Sequence, residues 1–190
     1  MFSFDIEFVK KLKKQDHNAF NQFYLKTIDI FFRYINWNYT VSQQDCNEVI
    51  WDFYLKIWEA LKKIDESQNF SVYVWTIFKN TLKDYFKKMS DIPFTNMNSE
   101  DPEAQTFEEL LEDETDFTEF LESNYKFEQI QEAMMKLDWL SRDVVYFKFV
   151  EEKDYDEISK LTGLSNENVR QKLSRAIKKI KEILAVWTTD

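Results

Sequence analysis

The sequence predicts an all-α fold: two small helical domains joined by an acidic linker, the C-terminal one containing a helix-turn-helix. Three observations predict it. The 190 residues include only 1 glycine and 2 prolines, which removes the punctuation that a sheet-rich fold needs. Apolar residues make up 44% and aromatic residues 17%, ample for packed cores in one or two domains. The net charge of −10 is also concentrated in one place: residues 89–124 hold 12 acids and no base, while 1–88 carry 13 bases against 11 acids and 125–190 carry 12 of each. The flanking segments are therefore free to have local basic faces, whatever the average says.

Residues 1–88 form the first predicted domain. Within 45–64, Val49, Phe53, Ile57, Ala60, Leu61 and Ile64 recur at helical spacing and make a core stripe. A second apolar line, Trp51, Leu55 and Trp58, runs along the opposite side beside Glu48, Asp52 and Glu59. A helix that is apolar on two faces is either buried all round or offers one face to a partner, and the acidic flank opposes complete burial. A protein-docking face is the expectation, with core filling by both tryptophans as the alternative. A polar loop, 65–70, follows. The next helix, 71–88, places Val74, Phe78, Leu82 and Tyr85 inward and Tyr73, Thr76, Asn80, Lys83 and Lys87 outward, bordered by Lys79 and Lys88. Rings, ammonium groups and amides interleaved on one face suit unpaired bases, where stacking contributes about 1–3 kcal/mol per base. Core packing competes with base contact for each aromatic taken alone.

The segment 89–124 contains Pro93, Pro102 and the polar run 95–101, and reads as a linker. As a flexible chain it would span roughly 30–35 Å. Phe107, Leu110, Leu111, Phe117 and Leu121 permit a short acidic helix in its second half. Its carboxylate cluster at 108–114 reads as a solvated run rather than a metal site.

Residues 125–190 form the second domain. Asp154 followed by Glu157 has the form of a capping box, Ser165 is a good N-cap, and Gly163 lies between them where a bihelical unit must turn tightly. In the helix after Ser165, Val169, Leu173, Ala176, Ile177, Ile180 and Leu184 share one face. Gln171, Arg175 and Lys178 lie opposite, with Arg170 and Ser174 along one border and Asn168 and Lys172 along the other. Between Arg170 and Lys181 stand six bases and no acid. Such a helix suits the major groove, where Arg and Lys read guanine and Asn or Gln reads adenine. A solvated basic helix end accounts for the charge alone, leaving the cap, glycine and cap sequence unexplained.

Composition also sets aside several classes. His17 and Cys46 are the only residues of their kinds and no glycine-rich phosphate loop exists, so no catalytic, cofactor-binding or metal site is expected and the chain does not read as an enzyme. One cysteine makes no internal disulfide, the first residues lack the blocks of a signal peptide, and no apolar run is long enough to span a bilayer. A cytoplasmic protein without membrane insertion is expected.

Two stretches together resemble one family, the bacterial sigma factors, and within it the short extracytoplasmic-function group. The first runs from Ala19-Phe20 through residues 45–53 and Trp58 to Phe70, Trp75-Thr76-Ile77-Phe78-Lys79-Asn80 and Asp84-Tyr85; the second from Leu137 through Tyr155-Asp156-Glu157-Ile158-Ser159, Gly163-Leu164-Ser165 and residues 169–176. The resemblance implies a non-enzymatic subunit that binds core RNA polymerase through its beta and beta-prime subunits, selects a promoter and assists its opening. It places Asp45, Glu48, Trp51, Asp52, Leu55 and Trp58 on the polymerase. It places Ser67, Asn69, Phe70, Tyr73, Thr76, Lys79, Asn80 and Lys83 on the unpaired minus-ten strand, and Ser165, Asn166, Asn168, Arg170, Gln171, Lys172, Ser174, Arg175 and Lys178 on the minus-thirty-five duplex. The linker is expected to thread channels that otherwise hold nucleic acid. The family's usual Gln-Glu is here Trp51-Asp52, and its common Arg-Asn is Lys79-Asn80. Few arginines and much acid imply modest unaided affinity for DNA, which leaves room for an anti-sigma factor or another recruiting, DNA-targeting partner. The rival readings are a helix-turn-helix regulator that acts without polymerase docking and a helical protein-binding scaffold or inhibitor.

Overall fold

The computed structural model describes residues 4–89, 117 and 127–187, and all regular structure among them is helical. The elements are α1 (Ile6–Lys13), α2 (His17–Asn38), α3 (Gln43–Leu61), α4 (Phe70–Met89), α5 (Phe127–Met135), α6 (Trp139–Val145), a π-helical turn (Tyr146–Val150), α7 (Tyr155–Thr162) and α8 (Asn166–Trp187). They fall into two compact units, one of Met1–Asn36 with Val41–Thr95, the other of Trp37–Thr40 with Asn96–Asp190.

Local chemistry starts the helices where the chain turns. Asp5 Oδ1 accepts from the Phe8 N–H, Asp16 Oδ1 from Ala19, Ser42 Oγ from Asp45 and Asn69 Oδ1 from Val72, so each helix of the first unit begins on a side-chain cap. The core of this unit is aromatic. Phe31 packs at 4.3 Å from Phe78, 4.7 Å from Phe53 and 5.2 Å from Trp75, centroid to centroid. Tyr34 closes on Trp75 and Phe78 from α2. Tilted and edge-on ring pairs of this kind add to burial through their quadrupoles. Tyr54 is buried too, its hydroxyl 2.7 Å from that of Thr27.

In the second unit α8 packs against α5, α6 and α7. Val169, Leu173, Ala176, Ile177, Ile180 and Leu184, the predicted stripe, are all buried. Phe117, from the acidic segment, is buried as well and packs 5.0 Å from Phe149. The other linker readings, including the prolines and the carboxylate cluster, fall outside the described residues.

The helix-turn-helix is built as its sequence reads. Asp154 and Glu157 form a full capping box, and α7 ends at Gly163 in the left-handed conformation, φ +77°. The Ser165 hydroxyl caps α8 by accepting from the Asn168 N–H. Ser159 Oγ donates to the Leu164 carbonyl at 2.6 Å, tying the turn to α7. A Cβ on Gly163 would meet nothing within 4 Å, so φ rather than space demands the glycine. Gly163→Ala is therefore expected to cost about 1 kcal/mol, and Gly163→Asn less, in chemical denaturation. Glycine is not the chain's sole left-handed residue, however: Gln15 (φ 60°) and Glu152 (φ 50°) adopt that conformation as well. Asp154→Ala, which removes the capping box, is expected to cost a further ~1 kcal/mol by the same measurement.

Candidate protein and nucleic-acid interfaces

One face of α3 is turned to solvent although it is apolar. Cys46, Val49, Ile50, Phe53, Tyr54, Ile57 and Leu61 are buried on the other side. Trp51 is 69% exposed and Leu55 52%, which removes core filling as an account of Trp51. Trp58 is half-buried, with Phe20 edge-on at 4.6 Å and His17 at 5.2 Å. Acids surround the strip. Asp52 is bridged by Lys56 at 2.9 Å, and the same Lys56 lies 3.6 Å from Asp84. Asp45 and Glu48 are drawn together by α4: the Tyr85 hydroxyl donates to Asp45 at 2.7 Å and lies 3.4 Å from Glu48. Hydrogen bonds from Ser42 and Tyr85 hold the Asp45 carboxyl below its ordinary range. Burial, together with the Asp45 carboxylate, pushes the Tyr85 hydroxyl well above its ordinary value, so it remains a donor. Periodicity alone reads Tyr85 as a core residue.

The face predicted for unpaired bases is only partly assembled. Asp65 accepts from the Ser67 N–H and hydroxyl, fixing the loop before α4. Ser67 and Asn69 are exposed, and Thr76, Asn80 and Lys83 line the exposed side of α4 with Lys79 half-buried beside them. The Thr76 hydroxyl donates back to the Val72 carbonyl at 2.8 Å. Tyr73 is half-buried, its hydroxyl donating to the Ala60 carbonyl at 3.0 Å. Phe70 is a correction. It is 8% exposed and meets Phe4 and Phe23 edge-on, because the first turn of α4 points it inward onto rings from α2 and the start of the chain. That ring belongs to the core and is not free to stack on a base.

On α8, Lys178 and Asn168 are exposed and Arg170, Gln171, Lys172 and Arg175 half-buried. Ser174 is the second correction: at 2% exposure it lies inside the unit, since packing on three helices buries a wider arc of α8 than its apolar stripe. Lys172 Nζ reaches Asp138 at 3.5 Å. Asn166 donates its side-chain amide to Asp156 of α7. The Arg170 guanidinium stands 4.6 Å from the centroid of the Tyr155 ring, and Lys148, from the π-helical turn, 4.5 Å from the same ring. Lys148 and Tyr155 thus join Arg170 in one cluster, a grouping invisible to helical periodicity because they come from three elements.

Asp138 is a structural centre of this unit. It caps α6 through the Leu140 and Ser141 N–H groups and also receives the Ser141 hydroxyl at 2.5 Å. Burial raises its pKa, but the Ser141 bonds and Lys172 outweigh this and hold the carboxyl below its ordinary value. A depressed folded-state pKa gives stability that is present above the unfolded value and lost as pH falls through the folded one. The second unit's melting temperature is expected to fall on acidification below about pH 4, and Asp138→Asn to flatten that dependence.

Comparison with known proteins decides the family. The family described as Sigma-70 region 2 matches residues 31–91, and that described as Sigma-70, region 4 matches residues 127–180. The chain is a sigma factor of the Sigma-70 family. Both regions occur in family order, and together they take in more than half of this sigma factor. It is similar to RNA polymerase sigma factor SigV of Bacillus subtilis (strain 168), at 22% identity over 152 residues that cover 78% of this chain and 80% of the relative. Among solved structures its fold is similar to that of CnrH in complex with the cytosolic domain of CnrY, with a TM-score of 0.66 and 18% identity over 96% of this chain and 97% of the other. Region 4 of the sigma factor contains the helix-turn-helix of α7 and α8, and region 2 contains α3 and α4. Among the described residues, no helix is long and apolar enough to cross a membrane.

Proposed function

We propose that the two units of this sigma factor divide the work of transcription initiation. The α3 face around Trp51, Leu55 and Trp58, rimmed by Asp45, Glu48, Asp52 and Glu59, docks on core RNA polymerase. The exposed side of α4, with Ser67, Asn69, Tyr73, Thr76, Lys79, Asn80 and Lys83, holds the unpaired minus-ten strand as the promoter opens. The α8 surface of Asn166, Asn168, Arg170, Gln171, Lys172, Arg175 and Lys178, with Ser165 at its start, meets the minus-thirty-five duplex.

The observation that carries this reading is the exposure of Trp51. Leaving a large apolar ring in water on a folded, acid-flanked helix is unfavourable unless a partner covers it. The acids around it suit a basic rim on that partner and favour rapid encounter. Paired region 2 and region 4 matches favour this division over a regulator without polymerase docking or a simple scaffold. CnrH was solved with a protein partner, the cytosolic domain of CnrY; we include in the reading a protein partner of this sigma factor, either an anti-sigma factor or a factor that recruits it to DNA.

Reconstituted transcription tests the proposal. Core polymerase supplemented with this chain is expected to produce discrete run-off transcripts from fragments of the source genome, and core polymerase alone only scattered ones. Identical scattered products in both reactions, with the chain folded, would refute it.

A further inference from the structure

We propose that Asp156 is a specificity-determining positioning residue: from the first turn of α7 it locks Asn166 in the orientation that reads an adenine in the major groove. The inference rests on the reading of α8 as the duplex-reading helix. Asn166 is the first residue of α8, and the N-terminal residues of such a helix are the ones that meet base edges. Its Nδ2 donates to Asp156 Oδ1.

An ionised carboxylate accepts hydrogen bonds and donates none, so the amide end that faces Asp156 must be the NH2 group. Flipping the carboxamide would set two acceptor oxygens against each other. With Asp156 on the N–H anti to Oδ1, the arrangement the proposal requires, Oδ1 and the second N–H are left side by side for a ligand. That acceptor and donor match the N6 amino group and N7 of adenine bidentately. Guanine presents two acceptors on the same edge, O6 and N7, which Oδ1 and the neighbouring carboxylate both disfavour.

Asp156 is itself well placed to act as a fixed post. The capping box of Asp154 and Glu157 encloses it in sequence, and the Ser159 bond to the Leu164 carbonyl ties α7 to the turn before α8. Two acids in the first turn of α7 also suit the helix dipole, so the Asp156 carboxylate is favoured where it stands.

The test is a selection. Holoenzyme assembled from core polymerase and the full chain is incubated with duplexes whose upstream element is randomised, and the bound fraction is sequenced. The wild-type chain is expected to enrich adenine at one position. Asn166→Ala and Asp156→Ala are each expected to lower that preference by about 5-fold or more, at that position alone, as loss of a bidentate base contact predicts. The double variant loses no more than either single one, and Asp156→Asn, which keeps an acceptor oxygen, restores part of the preference. Melting curves establish that each variant is folded.

The proposal is overturned if Asp156→Ala weakens all sequences equally and leaves base preference intact, which is the signature of a purely structural tie. It is also overturned if the Asn166-dependent position selects a base other than adenine. If the wild-type selection yields no preferred sequence and Arg175→Ala and Lys178→Ala leave binding unchanged, the duplex-reading role of α8 fails first and the inference falls with it.

Discussion

Replacing Trp51 and Leu55 together by alanine is expected to leave the first unit folded while weakening association with core RNA polymerase by about thirtyfold or more. Both side chains are more than half exposed, so truncating them removes little buried area, and the stability change should stay within about 0.5 kcal/mol per site. An aromatic anchor that becomes buried at an interface is different: its truncation costs roughly 2 kcal/mol or more. Titration of labelled core polymerase with the wild-type and doubly substituted chains measures the affinity, and thermal melting verifies the fold. Equal affinities would move the docking surface elsewhere on the molecule. A large drop in melting temperature would instead return Trp51 to the core.

The second large effect concerns the platform under that face. Phe78→Ala is expected to destabilise the first unit by about 3–5 kcal/mol, the range for deleting a fully buried ring. Phe78 is 0% exposed and packs against Phe31, Phe53, Trp75 and Tyr34, so the void opens where α2, α3 and α4 meet. Since domains are stable by only about 5–15 kcal/mol, much of this unit's margin would be lost. Urea unfolding followed by tryptophan fluorescence measures it, with Trp75, 5.5 Å from Phe78, as a reporter. A cost below about 1 kcal/mol would mean that the aromatic cluster repacks around the void.

Both substitutions fall at positions that helical periodicity already places, Phe78 inward on α4 and Trp51 and Leu55 on the outer line of α3. The local signals were legible because they depend on neighbours in the chain: the Asp154–Glu157 box, the Ser165 cap, the left-handed Gly163 and the 100° stripe of α8 all involve residues within four positions of one another. The double-faced pattern of α3 was legible for the same reason. Residues whose surroundings come from distant segments were not. Phe70 reads as a loop aromatic but meets Phe4 and Phe23, and Ser174 reads as a border position but is covered by the helices around α8. Tyr85 reads as core, but its hydroxyl donates to the Asp45 carboxylate 40 positions away and lies near that of Glu48, 37 positions away. Left-handed Gln15 and Glu152 show that positive φ is also accepted without glycine, where helix α1 and the π-helical turn come to an end. Lys148 carried no signal, since its place beside Tyr155 and Arg170 comes from a π-helical turn that apolar periodicity does not encode.

Photo-crosslinking within the reconstituted holoenzyme tests the division of labour most directly. A photoreactive residue is placed at position 51 on α3 or at position 178 on α8, and the complex is irradiated with a bound promoter fragment. The account predicts that position 51 joins to a large polymerase subunit and position 178 to the upstream duplex. Capture of DNA from position 51, or of neither target from either position while the complex remains assembled, would contradict it.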